Sequence, residues 1–210
     1  MNKLIGLVIK DILKSKVIII YTLFLAAFGW SVFSLESSSA KGALSLLNII
    51  LLSVPLVSII FGNIYIYNSR EFIELLVSQP IKRSTIWNSI FIALLIAVNL
   101  AFLIGIGIPV MIFSSNLIGL SVLLTGLFIG SIFTALALMG SIITKDKARG
   151  IGLSIMIWLF LTLIYDGLLL FLMFQFADYP IEKPMAIFSS LNPIDLARIQ
   201  MLLQMLSLQE

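Results

Sequence analysis

Few residues of this 210-residue chain can do chemistry, and their types narrow what that chemistry could be. There is no histidine and no cysteine, which removes the commonest general base, the commonest metal ligand, the thiolate nucleophile and any disulfide framework. No GxxxxGK[ST] loop is present to cradle phosphates, so the chain does not read as an enzyme, and any ATP energy has to come from a separate subunit. Three groups remain. Tyr165 and Asp166 stand inside an apolar run. Arg70, Glu71, Glu74, Lys82 and Arg83 stand in a polar insert, residues 68–88, NSREFIELLVSQPIKRSTIWN. Met201 and Met205 lie one helical turn apart, with Met185 in the same tail. Three thioethers could attract Cu(I), but without histidine or cysteine they form a weak ligand set, and methionines in an apolar helix read as packing residues. Neither a metal nor a cofactor is expected.

Asp166 is costly where it stands. A carboxylate within a membrane span carries a penalty of about 2.5 to 3.5 kcal/mol on insertion scales, so it should face protein or a water-filled space with a partner. It lies 17 positions into the run that begins at Gly150, past the middle. Either it lines a polar cavity for transport or signalling, or it makes a helix-to-helix hydrogen bond, with Tyr21, Asn48 and Asn99 as candidate partners. Tyr165-Asp166 is a lone pair, with no second acid or nucleophile to make it catalytic.

The elements that must position these residues are set by composition. Hydrophobic residues make up 60% of the chain and charged residues 11%, and the mean hydropathy is +1.17. A soluble fold of this length could not cover itself with so little polar surface. Apolar runs occupy residues 17–35, 43–67, 86–113, 117–143 and 150–177. Each reaches the roughly 20 residues that a helix needs to cross a hydrocarbon core about 30 Å thick. They are continuous rather than alternating, which excludes barrel strands. The expectation is an all-α polytopic membrane helix bundle with five transmembrane helices. It forms a single membrane domain over residues 1–210: an N-terminal segment (1–16), the five-span bundle (17–177) and an extracytoplasmic segment (178–210).

Ten of the thirteen Lys and Arg fall before the first run, in the second loop or in the fourth. By the positive-inside rule these segments are cytoplasmic, the N-terminus included. The opening basic stretch does not read as a cleavable signal, because its apolar run of 19 residues exceeds the roughly 7 to 15 of a signal core. Instead Leu4, Ile5, Val8, Ile9 and Ile12 share one helical side and Lys3, Lys10 and Lys14 the other, as in an interfacial amphipathic helix.

The polar insert is more than a turn. Asn68 reads as an N-cap with Glu71 three residues on. Phe72, Leu75, Leu76, Ile73 and Val77 recur at helical spacing beside Arg70, Glu71 and Glu74. Pro80 cannot continue that helix, and Ser84 can cap the next. This helix over 68–84 either rests on lipid headgroups or is presented to a soluble partner. Elsewhere, Gly126, Gly130 and Thr134 form a small-residue stripe that lets helix backbones approach. Gly105, Gly107, Pro109 and Pro55 read as kinks.

An N-terminal interfacial helix, two spans and a cytoplasmic helix ending Leu75-Leu76-Val77-Ser78-Gln79-Pro80-Ile81-Lys82-Arg83 resemble the permeases of ABC-2 type transporters. Within that family the run Glu74 to Pro80, the pair Tyr165-Asp166 and the stretch Leu191-Asn192-Pro193-Ile194-Asp195-Leu196-Ala197-Arg198 resemble the NosY-type permeases, which serve maturation of nitrous oxide reductase. The resemblance implies that the loop helix is a coupling helix, with Arg70, Glu71, Phe72, Glu74, Leu75, Gln79, Pro80, Lys82 and Arg83 engaging a cytoplasmic ABC ATPase subunit. It also implies a homodimer in the bacterial cytoplasmic (inner) membrane, coupling ATP hydrolysis to export or to a mechanical signal received by a periplasmic partner protein, in a copper-maturation system. No nucleic-acid partner is expected.

Two departures from the family stand out. Glu71-Phe72 replaces a Gly-Thr pair that many members carry, and the family has six spans, so a sixth helix is expected to be missing here. A different class of function, an ATP-independent ion or solute carrier using Asp166, lacks the internal repeat usual in carriers.

Overall fold

The computed structural model describes residues 2–36, 38–114, 116–176 and 182–207. Its architecture is all-α, with no strand among the described residues. The helices are α1 (Asn2–Leu13), α2 (Lys16–Leu35), α3 (Ser39–Asn68), α4 (Arg70–Val77), α5 (Arg83–Phe102), α6 (Ile108–Phe113), α7 (Leu117–Ile143), α8 (Lys147–Leu159), α9 (Tyr165–Gln175), α10 (Glu182–Leu191) and α11 (Pro193–Ser207). π-helical turns join α5 to α6 (Leu103–Gly107) and α8 to α9 (Phe160–Ile164).

Five helical stretches are long and apolar enough to cross a membrane: Lys16–Leu35, Lys41–Asn68, Arg83–Phe113, Leu117–Ile143 and Lys147–Gln175. They match the five apolar runs within a few residues, apart from Ala177, which lies outside the described residues. The chain divides into two compact units, Met1–Ile155 and Met156–Glu210.

The first unit is a bundle in which α3 and α7 form the most extensive pairing. The small-residue stripe on α7 brings α5 close as well. A Cβ on Gly126 would overlap the ring of Phe102, and one on Gly130 would come within 3.0 Å of Asn99 Oδ1 and 3.4 Å of Val54. The stripe therefore serves bundle packing, pressing α7 onto α3 and α5 at once. Phe102, fully buried, fills the space that Gly126 leaves.

The kink residues of the third span also act through packing. The π-turn brings Gly105 so near α2 that a Cβ there would lie 2.7 Å from Leu25 Cβ and 3.0 Å from the Thr22 carbonyl. Pro109 in turn meets Gly29. Pro55, by contrast, is buried within an unbroken α3.

The N-terminal amphipathic pattern folds as α1, and its apolar side is covered by protein rather than by lipid alone. Val8 and Ile12 are fully buried as α1 packs on α5, whereas Lys10 and Asp11 are exposed. The Tyr65 hydroxyl near the end of α3 donates to Asp11 Oδ2 at 3.3 Å. Three chain segments thus gather at one end of this unit, namely α1, the turn around α4 and the turn between α7 and α8. They are the three that hold most of the basic residues.

In the second unit, α9 leads through residues outside the described set into α10 and α11. Among the elements of this unit, Asn192 just before α11 reaches the π-turn and Arg198 of α11 reaches α9, and Asn192 and Asp195 are buried.

Candidate functional site

Two polar sites emerge, one in each unit. The first surrounds α4. Its boundaries differ from those expected: one helix over residues 68–84 is instead the end of α3, a short α4 and the start of α5. Asn68 is the last residue of α3 and caps nothing. Its side-chain oxygen accepts a hydrogen bond from Lys147 Nζ at 2.8 Å, a use that outcompetes the local cap. Ser69 takes the cap position without a side-chain bond. Gln79 and Pro80 lie in the turn after α4, Lys82 precedes α5, and Arg83 and Ser84 already belong to α5, so Ser84 is not its cap.

Helix α4 has an inner and an outer side. Ile73 and Leu76 are buried, Phe72 and Val77 half-buried, and Leu75 is 65% exposed. Glu71, Glu74, Gln79, Pro80, Lys82 and Arg83 are all exposed. Of the five apolar positions expected to share one face, two are therefore fully covered and one points outward.

The inner side is tied to the turn between α7 and α8. Arg70 Nη1 donates to the Lys145 carbonyl at 2.8 Å, and Arg70 Nε lies 3.4 Å from Glu74 Oε1 on the next turn of its own helix. The Tyr67 hydroxyl donates to the Thr144 carbonyl at 2.8 Å. Together with Asn68 and Lys147, these contacts link the second and fourth loops through residues 67, 68 and 70. Two of the acceptors are carbonyls around the end of α7, where helix geometry leaves carbonyls without internal partners. Gly150 makes room for the arrangement, since a Cβ there would overlap the Tyr67 ring. One turn further on, Asn63 Nδ2 donates to Ser154 Oγ.

Behind α4 lies a cleft of about 410 Å3, lined by Tyr67, Arg70, Glu74, Trp87 and Lys145 with an aliphatic wall that includes Val77 and Ile142. Sequence reasoning named Arg70 and Glu74 but missed Tyr67, Asn68 as acceptor, Trp87, Lys145 and Lys147. The only signal that could have found them was the charge shared by loops two and four.

The second site surrounds Asp166. Its partner is none of the candidates on spans one to three: Asn99 donates instead to Ser131 Oγ at 3.1 Å, and Asn48 is exposed. Arg198 of α11 binds Asp166 Oδ2 through Nη1, and the same nitrogen lies 3.7 Å from Asp195 Oδ1. Asn192 Nδ2 donates to the Leu161 carbonyl within the π-turn at 2.8 Å and to Asp195 Oδ2 at 3.2 Å, and Asn192 Oδ1 accepts from the Ile194 backbone at 3.1 Å. The Tyr165 hydroxyl donates to the Phe188 carbonyl of α10 at 2.6 Å.

Two carboxylates thus meet one guanidinium. Asp166 Oδ1 is buried without a donor, and the Asp195 side chain is only 10% exposed. Burial, followed by hydrogen bonding to Asp166 and repulsion from it, pushes the Asp195 carboxyl up to about 7, against the weaker opposing pull of Asn192 and Arg198. A proton on Asp195 gives Asp166 the donor it otherwise lacks.

Met201 is fully buried in α11, Met185 is half-buried in α10, and the side chain of Met205 lies outside the described residues. Among the described residues no cluster of three or more His, Cys, Asp or Glu could hold a metal ion. Compared with known proteins, the sequence matches no family model and no curated protein.

Proposed function

We propose that the chain is a non-catalytic membrane subunit of the ABC-2 permease kind, with α4 as the element that a cytoplasmic ATPase subunit grips. The observation that carries this reading is the two-sidedness of α4. Its inner side is fastened by Arg70 to the fourth loop and by Ile73 and Leu76 to the bundle, while its outer side offers Glu71, Glu74, Leu75, Gln79 and Pro80 to solution. A helix resting on lipid would turn its apolar side outward and needs no such fastening. A lever needs both a grip and an anchor.

In this reading the basic end of the first unit is cytoplasmic, in a bacterial inner membrane, and two copies work with two ATPase subunits. Movement received at α4 passes to the spans that carry the anchor and becomes export or a mechanical signal to a periplasmic partner protein. Copper-site maturation of nitrous oxide reductase is the specific process that the NosY-type likeness favours. The alternative, an ATP-independent carrier that titrates Asp166, is the weaker reading, because Arg198 already supplies that carboxylate with a counter-ion.

The test is co-purification with a candidate cytoplasmic ABC ATPase subunit co-expressed with the chain. Reversing Glu71 and Glu74 together to Lys should abolish the complex and uncouple ATP hydrolysis. If the complex and the coupling both survive, α4 is not the grip.

A further inference from the structure

We propose that the cleft behind α4 binds the phosphate of an anionic phospholipid headgroup, held by Lys145, Arg70 and Trp87. The proposal does not depend on the permease reading.

Three residues on the wall carry donors that the protein does not use up. The Lys145 ammonium and the Trp87 indole N–H have no partner among the described residues. Arg70 commits Nη1 to the Lys145 carbonyl and Nε to Glu74, which leaves Nη2 free. Glu74 is the single carboxylate on the wall, against two cations, so the cleft carries a net positive charge. A space with surplus donors and positive charge selects an acceptor-rich anion.

The rest of the wall selects the source of that anion. Ile66, Ile73, Val77 and Ile142 are aliphatic, and Ile142 is 58% exposed on the flank of α7. A free phosphate gains nothing from them, whereas the glycerol and first acyl carbons of a lipid do. The cleft also lies where three candidate spans end, Lys41–Asn68, Arg83–Phe113 and Leu117–Ile143, which is the depth at which headgroups meet a bilayer protein. Tyr67 and Trp87 on its wall suit the same depth. A volume of about 410 Å3 falls in the range of small-molecule sites, roughly 300 to 1,000 Å3. Basic pockets between spans are a known physical solution for anionic headgroups.

The experiment uses the full chain in neutral detergent, with thermal unfolding measured on adding phosphatidylglycerol, phosphatidylcholine or inorganic phosphate. Phosphatidylglycerol should raise the midpoint by about 5 to 10 °C at a hundredfold excess over its dissociation constant, and the other two should not. Lys145→Gln removes the ammonium but leaves the carbonyl that anchors Arg70, so this variant should fold and lose the difference between the two lipids. Arg70→Gln should lose it too, with a lower starting midpoint. Lys41→Gln, at the opposite end of α3, should keep it. Counting lipids retained in native mass spectrometry reads the same effect independently of stability. An equal rise with phosphatidylcholine, a rise with inorganic phosphate alone, a preserved difference in Lys145→Gln or a lost one in Lys41→Gln would each overturn the proposal.

Discussion

Replacing Asp195 by Asn should make the stability of this protein nearly indifferent to pH around neutrality, where the wild type should lose stability as pH rises. The carboxyl of Asp195 is raised from its ordinary 3.8 to about 7 in the folded chain. Between those two values the folded state holds a proton that the unfolded state has released, so stability falls as pH climbs through the window and levels off above about 7. At about 1.36 kcal/mol per unit, the whole shift corresponds to roughly 4 kcal/mol. Arg198 is 40% exposed, and the water that reaches it screens the cluster. An effect of about 1 to 2 kcal/mol between about pH 5 and pH 8 is therefore the reasonable expectation. The assay is reversible unfolding in mixed micelles followed by helical circular dichroism. Its background is unusually quiet, because the chain has no histidine, and apart from the terminal amine no ordinary group titrates in that window. Asn at position 195 is neutral throughout and can still donate to Asp166. A variant with the wild-type slope, or a wild type whose stability rises from pH 5 to pH 8, would show that the proton is not held where the geometry places it.

Other substitutions probe the remaining contacts. Arg198→Leu strands Asp166 without its counter-ion and should destabilise the chain by about 2 to 3 kcal/mol, below the 3 to 5 of a fully buried pair because the arginine is partly wet; Asp166→Asn in the same background should recover most of that loss in the same unfolding assay. Gly126→Leu drives a side chain into the fully buried Phe102 ring and should cost about 1 to 3 kcal/mol, read as a lower unfolding midpoint. Tyr67→Phe removes the bond to the Thr144 carbonyl for about 0.5 to 1.5 kcal/mol, and limited proteolysis should then cut the turn between α7 and α8 faster than in the wild type.

The five spans were legible because a bilayer imposes one simple demand: a continuous apolar run of sufficient length. The packing role of Gly126 and Gly130 was legible for a related reason, since spacing four on a helix puts small residues on one line. What could not be read was any use of polar side chains across distant turns. Asn68 has the residue type and position of an N-cap, and only the approach of Lys147, 79 residues on, diverts it. Arg198 entered the sequence reading only as part of the stretch Leu191 to Arg198, although its spacing of three from Asp195 puts the two on one face of α11. Its reach to Asp166, 32 residues back on α9, depends on the tertiary fold, which no local pattern encodes. The π-turn at Phe160–Ile164 was equally silent: FLTLI reads as ordinary helix, and the displaced register shows itself only when Asn192 arrives to bond the Leu161 carbonyl.

That contrast bears on how α4 would work as a lever. Its eight residues are too few to be stable as an isolated helix, so its shape must be borrowed from what it packs against. Ile73 and Leu76 supply that support, and Arg70 fixes the azimuth by reaching a main-chain carbonyl rather than a side chain. The Lys145 carbonyl, in the turn after α7, cannot change rotamer or charge, so in the proposed role force applied at Glu71 and Leu75 would be delivered to the end of α7. Because α7 is pressed through its glycines against α3 and α5 together, displacement of its end would either carry those helices along or break that packing. An anionic lipid in the cleft would stiffen the joint by engaging Arg70 and Lys145 at once. The same joint would then be looser in a membrane without such lipids, and uncoupled ATP hydrolysis should rise there in proportion.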